Sequence, residues 1–143
     1  MSATGLDVFD RTLHVTNTWL HELTSRMGWE DRRAGWRLLR TVLHMLRDRL
    51  TAEEAAKFAA QLPMLLRGAF YEGWRPSGAA EAPRTAEAFL APLVEAFGEA
   101  RDFEPEAAFR ETLAVIRMHV SAGEIEDLRR AMPAAARGFW DED

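Results

Sequence analysis

Leu50-Thr51-Ala52-Glu53-Glu54-Ala55-Ala56 opens a helix, and seventy residues later Val120-Ser121-Ala122-Gly123-Glu124-Ile125-Glu126 opens another in the same way. Each stretch sets a hydroxyl three residues ahead of a glutamate. The hydroxyl accepts from the third helical amide, and the carboxylate accepts from the cap residue's own amide. Thr51 with Glu54, and Ser121 with Glu124, therefore both read as capping boxes.

Outward from these caps, an offset of seventy aligns residues 16–73 with 86–143 without a gap. Leu20/Leu90, Leu23/Leu93, Gly28/Gly98, Arg40/Arg110, Leu43/Leu113 and Arg47/Arg117 are identical pairs, as are Pro63/Pro133, Arg67/Arg137 and Gly68/Gly138. So long a register reads as one unit written twice. Each copy divides into four helices. Leu6, Phe9, Leu13, Leu20, Leu23 and Met27 recur three or four apart, broken only at Thr16. Gly28 and Gly98 sit where the first helices should end in left-handed caps. Over about 31–49, Trp36, Leu39, Leu43, Leu46 and Leu50 line one side, with Arg33, Arg37, Arg40, His44 and Arg47 on a solvated opposite side. Pro63 and Pro133 begin the fourth helices, as first-turn prolines can.

No strand-like alternation interrupts this pattern. The expectation is an all-α fold of about eight helices, a tandem pseudo-symmetric repeat of two four-helix halves packed into one domain over residues 1–143. The first repeat spans about 16–73, with residues 1–15 extending its first helix. Residues 74–85, rich in proline and small residues, form the linker, and 86–143 form the second repeat. Halves of about sixty residues bury little core alone, so they should pack together.

Composition narrows the function classes. Cysteine is absent, which removes disulfides, thiol nucleophiles and cysteine-ligated metals. No apolar run is long enough for a membrane span, and no signal peptide is visible, so a soluble cytoplasmic protein is expected. Net charge is −5, with residues 16–73 at +2 and residues 86–143 at −7 by count. We read that asymmetry as drift on solvent faces, attraction between the two segments being the alternative.

Leu50 to Ala56, Gln61-Leu62-Pro63, Leu66-Arg67-Gly68 and Tyr71-Glu72-Gly73-Trp74 together resemble the bacterial domain-of-unknown-function family 2267. Val120 to Leu128 and Pro133…Arg137-Gly138-Phe139 extend the resemblance over about residues 16–140. It implies a small helical domain found in bacteria, and it implies no reaction. In the second copy Ala131-Met132-Pro133 replaces Gln-Leu-Pro, which confines any role of Gln61 to the first half.

The four histidines, His14, His21, His44 and His119, have no close ligand spacing and no equivalents at the offset of seventy, so no metal is expected. Nucleophile elbows and phosphate-binding glycine loops are missing, so catalytic residues and cofactors are expected to be none. Carboxylates in first helical turns serve the helix dipole. Arginine stands out: there are seventeen, against one lysine, Lys57. Arg67 and Arg137 read as structural ties to neighbouring carboxylates or carbonyls, a repeated anion site being the alternative. Arg40, Arg47, Arg110, Arg117 and Trp74 are the partner-binding candidates. Thr51, Glu54, Pro63, Arg67, Ser121, Glu124, Pro133 and Arg137 are the structural ones. Phe70, Tyr71, Trp74, Phe139 and Trp140 either pack beneath the linker or form an exposed patch.

The basic side of the second helix resembles a track for phosphates, but the acidic second half opposes it. Appreciable duplex DNA or RNA binding near physiological salt is therefore not expected. The reading is a non-enzymatic binding or regulatory module whose partner is unidentified, another protein or a second copy. A small-ligand or enzymatic pocket between the halves is the alternative.

Overall fold

A computed structural model describes residues 2–76, 81–98 and 103–141; the part of the expected linker at 77–80 lies outside them. The helices are α1 Asp7–Met27, α2 Arg32–Arg47, α3 Ala52–Ala59, α4 Met64–Tyr71, α5 Ala86–Phe97, α6 Pro105–His119, α7 Ala122–Ala131 and α8 Ala134–Arg137, followed by a 3-10 turn, Gly138–Trp140. The described residues contain eight α-helices and no strand, and the fold is all-α. No helix among them is long and apolar enough to cross a membrane.

The caps differ in one instructive way. At Thr51 the box is complete: Glu54 N donates to Thr51 Oγ1, and Thr51 N donates to Glu54 Oε1. Ser121 accepts from Glu124 N, but its own amide donates to Gln61 Oε1 at 2.8 Å. Only half of the expected second box exists, because a side chain from the other half has taken the amide. Glu124 is buried instead, 3.8 Å from Lys57 Nζ. Gly28 closes α1 in the left-handed region, whereas Gly98 has φ 58 and ψ −149 and is not a left-handed cap. Pro63 and Pro133 are N-cap residues with extended ψ, one position ahead of their helices.

The core runs from α1 to the C-terminal 3-10 turn as one cluster. Trp19, Leu23, Leu38, Leu43, Phe58, Leu66, Phe70, Leu93, Phe109 and Leu113 are among its members. The two segments cross over in their packing: α1 lies on α2 and α6, and α2 lies on α1 and α5. Where α1 and α2 meet, a Cβ on Gly35 would lie 2.5 Å from Thr24 Cγ2, so only glycine allows this approach. Trp36, expected in the core, is half-buried at its edge. Phe70, Phe139 and Trp140 are buried, which resolves the aromatic cluster in favour of packing.

Short helices leave orphan carbonyls, and arginines meet them. Arg47 was expected on a solvated face; it is buried, with Nη1 donating to the carbonyls of Phe70 at 3.0 Å and Glu72 at 2.7 Å. Its Nε donates to Asp48 Oδ1 at 2.9 Å. Arg117, seventy residues on, donates to the carbonyl of Trp140, the counterpart of Phe70. Arg67 donates to the carbonyls of Ala59 at 3.0 Å and Leu62 at 3.0 Å, and Arg137 donates to that of Met132, the counterpart of Leu62, at 3.1 Å.

Removing a buried guanidinium strands two carbonyls and leaves a void. Arg47→Met should therefore lower the unfolding free energy by about 2–4 kcal/mol. Arg40→Met, at an exposed position two turns earlier on the same helix, should change it by less than about 0.5 kcal/mol. Urea denaturation checks both.

Candidate functional site

The N-terminal turns of α1 extend along α4. Their apolar residues were expected to continue the helix stripe inward, but the body of the protein ends short of them. Leu6, Val8, Phe9 and Leu13, with Met64 and Leu65 of α4, are between 41 and 55% exposed. Large apolar side chains exposed in this number mark a binding surface more often than they are left idle, and two of them, Val8 and Met64, line a common groove. Beside it lies a groove of about 400 Å³. Val8, Arg11, Thr12 and Val15 form one wall, and Leu62, Pro63, Met64 and Arg67 the other. Trp19, Gln61 and His119 complete it.

Local chemistry sets each wall. The Leu65 amide, one of the orphan donors of α4, donates to Thr12 Oγ1 at 2.9 Å, which fastens α4 to α1. Pro63 turns the chain from α3 into α4 and places Met64 at the lip. Arg67 lies along the wall with its guanidinium occupied by the α3 carbonyls. Arg11 has no ion pair or side-chain hydrogen bond among the described residues, so it is the free charge of the groove.

Gln61 and His119 tie the groove to the second half. Gln61 holds Ser121 by two bonds, accepting from its amide at 2.8 Å and donating to its hydroxyl at 3.1 Å. His119 stacks on Trp19, with ring centroids 4.6 Å apart and planes 15° from parallel, and its Nε2 meets Glu22 Oε2 at 2.7 Å. The Trp19 indole Nε1 is buried without a partner. Sequence reasoning treated His119 as an ordinary surface or hydrogen-bonded histidine, and it missed Val8 and Met64. The apolar arc of α1 ahead of Thr16 was the available signal for the groove.

The candidates named from sequence scatter. Arg47, Arg110 and Arg117 point to helix-end carbonyls, Arg110 to those of Asp141 at 3.0 Å and Gly138 at 3.4 Å. Trp74 is half-buried against Tyr71, with centroids 5.2 Å apart. Arg40 alone of the four arginines has no side-chain hydrogen bond or ion pair among the described residues. None of the five lines the groove.

Arg40 and His44 instead line a second hollow of about 380 Å³ between α2 and α5, with Asp48, Arg49, Phe89 and Glu95. His44 Nε2 lies 2.7 Å from the Ala69 carbonyl. Burial lowers its pKa from the ordinary histidine value; the Ala69 carbonyl acts the other way, and nearby Arg47 and Arg40 add to the lowering. Among the described residues no three His, Asp or Glu side chains gather as metal ligands would.

Two outcomes follow. Gln61→Ala removes both bonds to Ser121 and, the contact being exposed, should cost about 0.5–1.5 kcal/mol. Ser121→Ala should cost less in a Gln61→Ala background than alone, because the two residues share a bond. For His44, the unfolded chain holds the proton more tightly, so stability is full above the ordinary histidine range and falls as pH drops through it. Urea midpoints from pH 7.5 to 5 should decline, and His44→Gln should flatten that decline.

No curated protein matches the chain. The model of a family described as "Uncharacterized conserved protein (DUF2267)" matches residues 16–139. That span begins on the buried Thr16, covers the Gln61-Leu62-Pro63 wall and ends at Phe139, leaving the exposed turns of α1 outside it. With most of its length so matched, the chain belongs to the DUF2267 family.

Proposed function

We propose that this chain is a non-enzymatic binding module, one domain of duplicated origin working in the bacterial cytoplasm, and that its groove receives an amphipathic helix of a protein partner. The observation that carries this is the unburied apolar surface of Leu6, Val8, Phe9, Leu13, Met64 and Leu65 beside the groove. A helix laid there would bury its own apolar residues against both walls, the recognition mode in which anchors recur at i, i+3 or i+4 and i+7. Arg11 would meet a carboxylate on the partner's polar edge. The duplicated origin is supported by paired duties: Arg47 and Arg117, and Arg67 and Arg137, act on carbonyls that are themselves seventy residues apart.

A second reading, a small apolar ligand or substrate in the same groove, draws on His119, whose ring is held by Glu22 and Trp19. The contact between the halves is otherwise an apolar core, with the polar pairs at its margin, which favours the module.

Selection from a displayed library of helical peptides tests the proposal. Enriched peptides should share the apolar spacing, shift the amides of Val8, Thr12, Val15 and Met64 in NMR spectra, and lose at least tenfold in affinity to Val8→Asp or Met64→Asp. Both residues are half-exposed or more, so these variants should stay folded. Enrichment of nothing, or of peptides that map elsewhere, would sink the proposal. Small aromatic acids that bind while helices do not would establish the second reading instead.

A further inference from the structure

The exposed side of α2 concentrates positive charge in a way that the fold does not use. Arg32, Arg33, Arg37 and Arg40, with the half-buried indole of Trp36, line a hollow of about 430 Å³ to which no described carboxylate contributes. Arg32 donates to the Asn17 side-chain oxygen at 2.6 Å, and the Arg37 guanidinium lies 5.6 Å from the centre of the Phe97 ring. Arg33 and Arg40 have neither side-chain hydrogen bonds nor ion pairs among the described residues. Glu95 shares the neighbouring hollow with Arg40 but is not ion-paired with it.

Three features make this arrangement unfavourable in the empty protein. Arg32 and Arg33 occupy the first two positions of α2, where the helix dipole repels cations, and the first turn holds no acid. Asp31 at the N-cap offsets part of that. Arg33 and Arg37 are four apart and Arg37 and Arg40 three apart, spacings at which like charges repel. Arg110, seventy residues from Arg40, satisfies two carbonyls, and Arg40 has no such task. Crowded cations of which two, Arg33 and Arg40, make no side-chain hydrogen bond or ion pair among the described residues are suited to an anion.

We propose that this hollow binds a nucleoside polyphosphate, with the guanidinium groups on the phosphates and the base stacked on Trp36. Arginine forks match phosphate oxygens two at a time, and an indole beside arginines is a platform for a base. The four arginines span nine residues, about 12 Å along the helix. That is the scale of one nucleotide with its phosphate chain, and about a third of a duplex turn. Further phosphates of a long nucleic acid would leave this face for a chain of net charge −5. The site is separate from the groove and does not depend on what the groove holds.

The test is titration of the full chain with ATP, inorganic tripolyphosphate, a twenty-nucleotide single strand and phosphatidylglycerol vesicles, followed by NMR at low salt. ATP should bind in the micromolar range, shift the Trp36 indole and the α2 amides, and weaken steeply as salt is added. Arg33→Gln/Arg37→Gln/Arg40→Gln should bind ATP at least tenfold more weakly while unfolding at no lower urea concentration than the parent. Trp36→Leu should reduce ATP affinity to that of tripolyphosphate. Equal affinity of the parent for ATP and tripolyphosphate would overturn the stacking half of the proposal. Tight binding of the single strand or the vesicles without binding of ATP would overturn the choice of ligand. Absence of α2 shifts with millimolar ATP would overturn the site, whatever the variants do.

Discussion

Guanidinium groups closing the ends of short helices hold this fold together. Helices of eight and four residues, like α4 and α8, are too short to persist on intrinsic propensity. Their last carbonyls have no partner within the helix, and a buried carbonyl without a donor is costly. Arg47 reaches from α2 to the Phe70 carbonyl near the end of α4, Arg117 reaches from α6 to the Trp140 carbonyl in the 3-10 turn after α8, and Arg67 and Arg137 reach back to carbonyls at the ends of α3 and α7. Arginine suits this work because one planar fork serves several acceptors and stays charged when buried. Lysine, with a single ammonium, would serve fewer acceptors at a higher desolvation cost.

The earlier helices α1–α4 and the later helices α5–α8 then share contacts that are apolar inside and polar at the edge. Inside, Trp19, Leu43, Phe109 and Leu113 belong to one cluster. At the edge Gln61 replaces half of a helix cap in the other half, and Lys57 pairs with Glu124 and Asp127. The pair of Lys57 with Asp127 is exposed and contributes little, whereas Glu124 is buried on its side of the contact. The glutamine is different, because it supplies hydrogen bonds that Ser121 would otherwise take from its own helix. That exchange makes the start of α7 dependent on the end of α3.

Function follows from where this scaffold stops. The turns of α1 before Thr16 outrun the body that would cover them, which exposes an apolar surface beside a groove. On another side, the arginines of α2 that close no helix crowd together around Trp36. One surface is suited to an apolar helix and the other to an anion. Arg47 serves the fold and Arg40 stays open to solvent, although they lie two turns apart on the same side of α2; the difference is that the end of α4 covers Arg47 and not Arg40.

Much of the fold was legible in the chain itself. Helix-period spacing and the Thr51 cap depend on residues near in sequence, so the all-α class and the helix pattern could be read from them. Arg67 and Arg137 could be read as structural ties because they recur at the offset of seventy with carboxylates alongside and guanidinium offers several donors. The groove could not be read, since Val8, Met64 and His119 come from three distant parts of the chain and meet only through packing. Nor could the fate of Arg47: periodicity places it on the polar side of α2, but whether that side meets water or another helix depends on where α4 lies. The second cap at Ser121 failed for the same reason, because a local pattern cannot anticipate a competitor from sixty residues away. Sequence by itself determined the helices, because their hydrogen bonds join residues three or four apart; tertiary structure decided which arginines hold the fold and which face solvent, because that depends on contacts between distant helices.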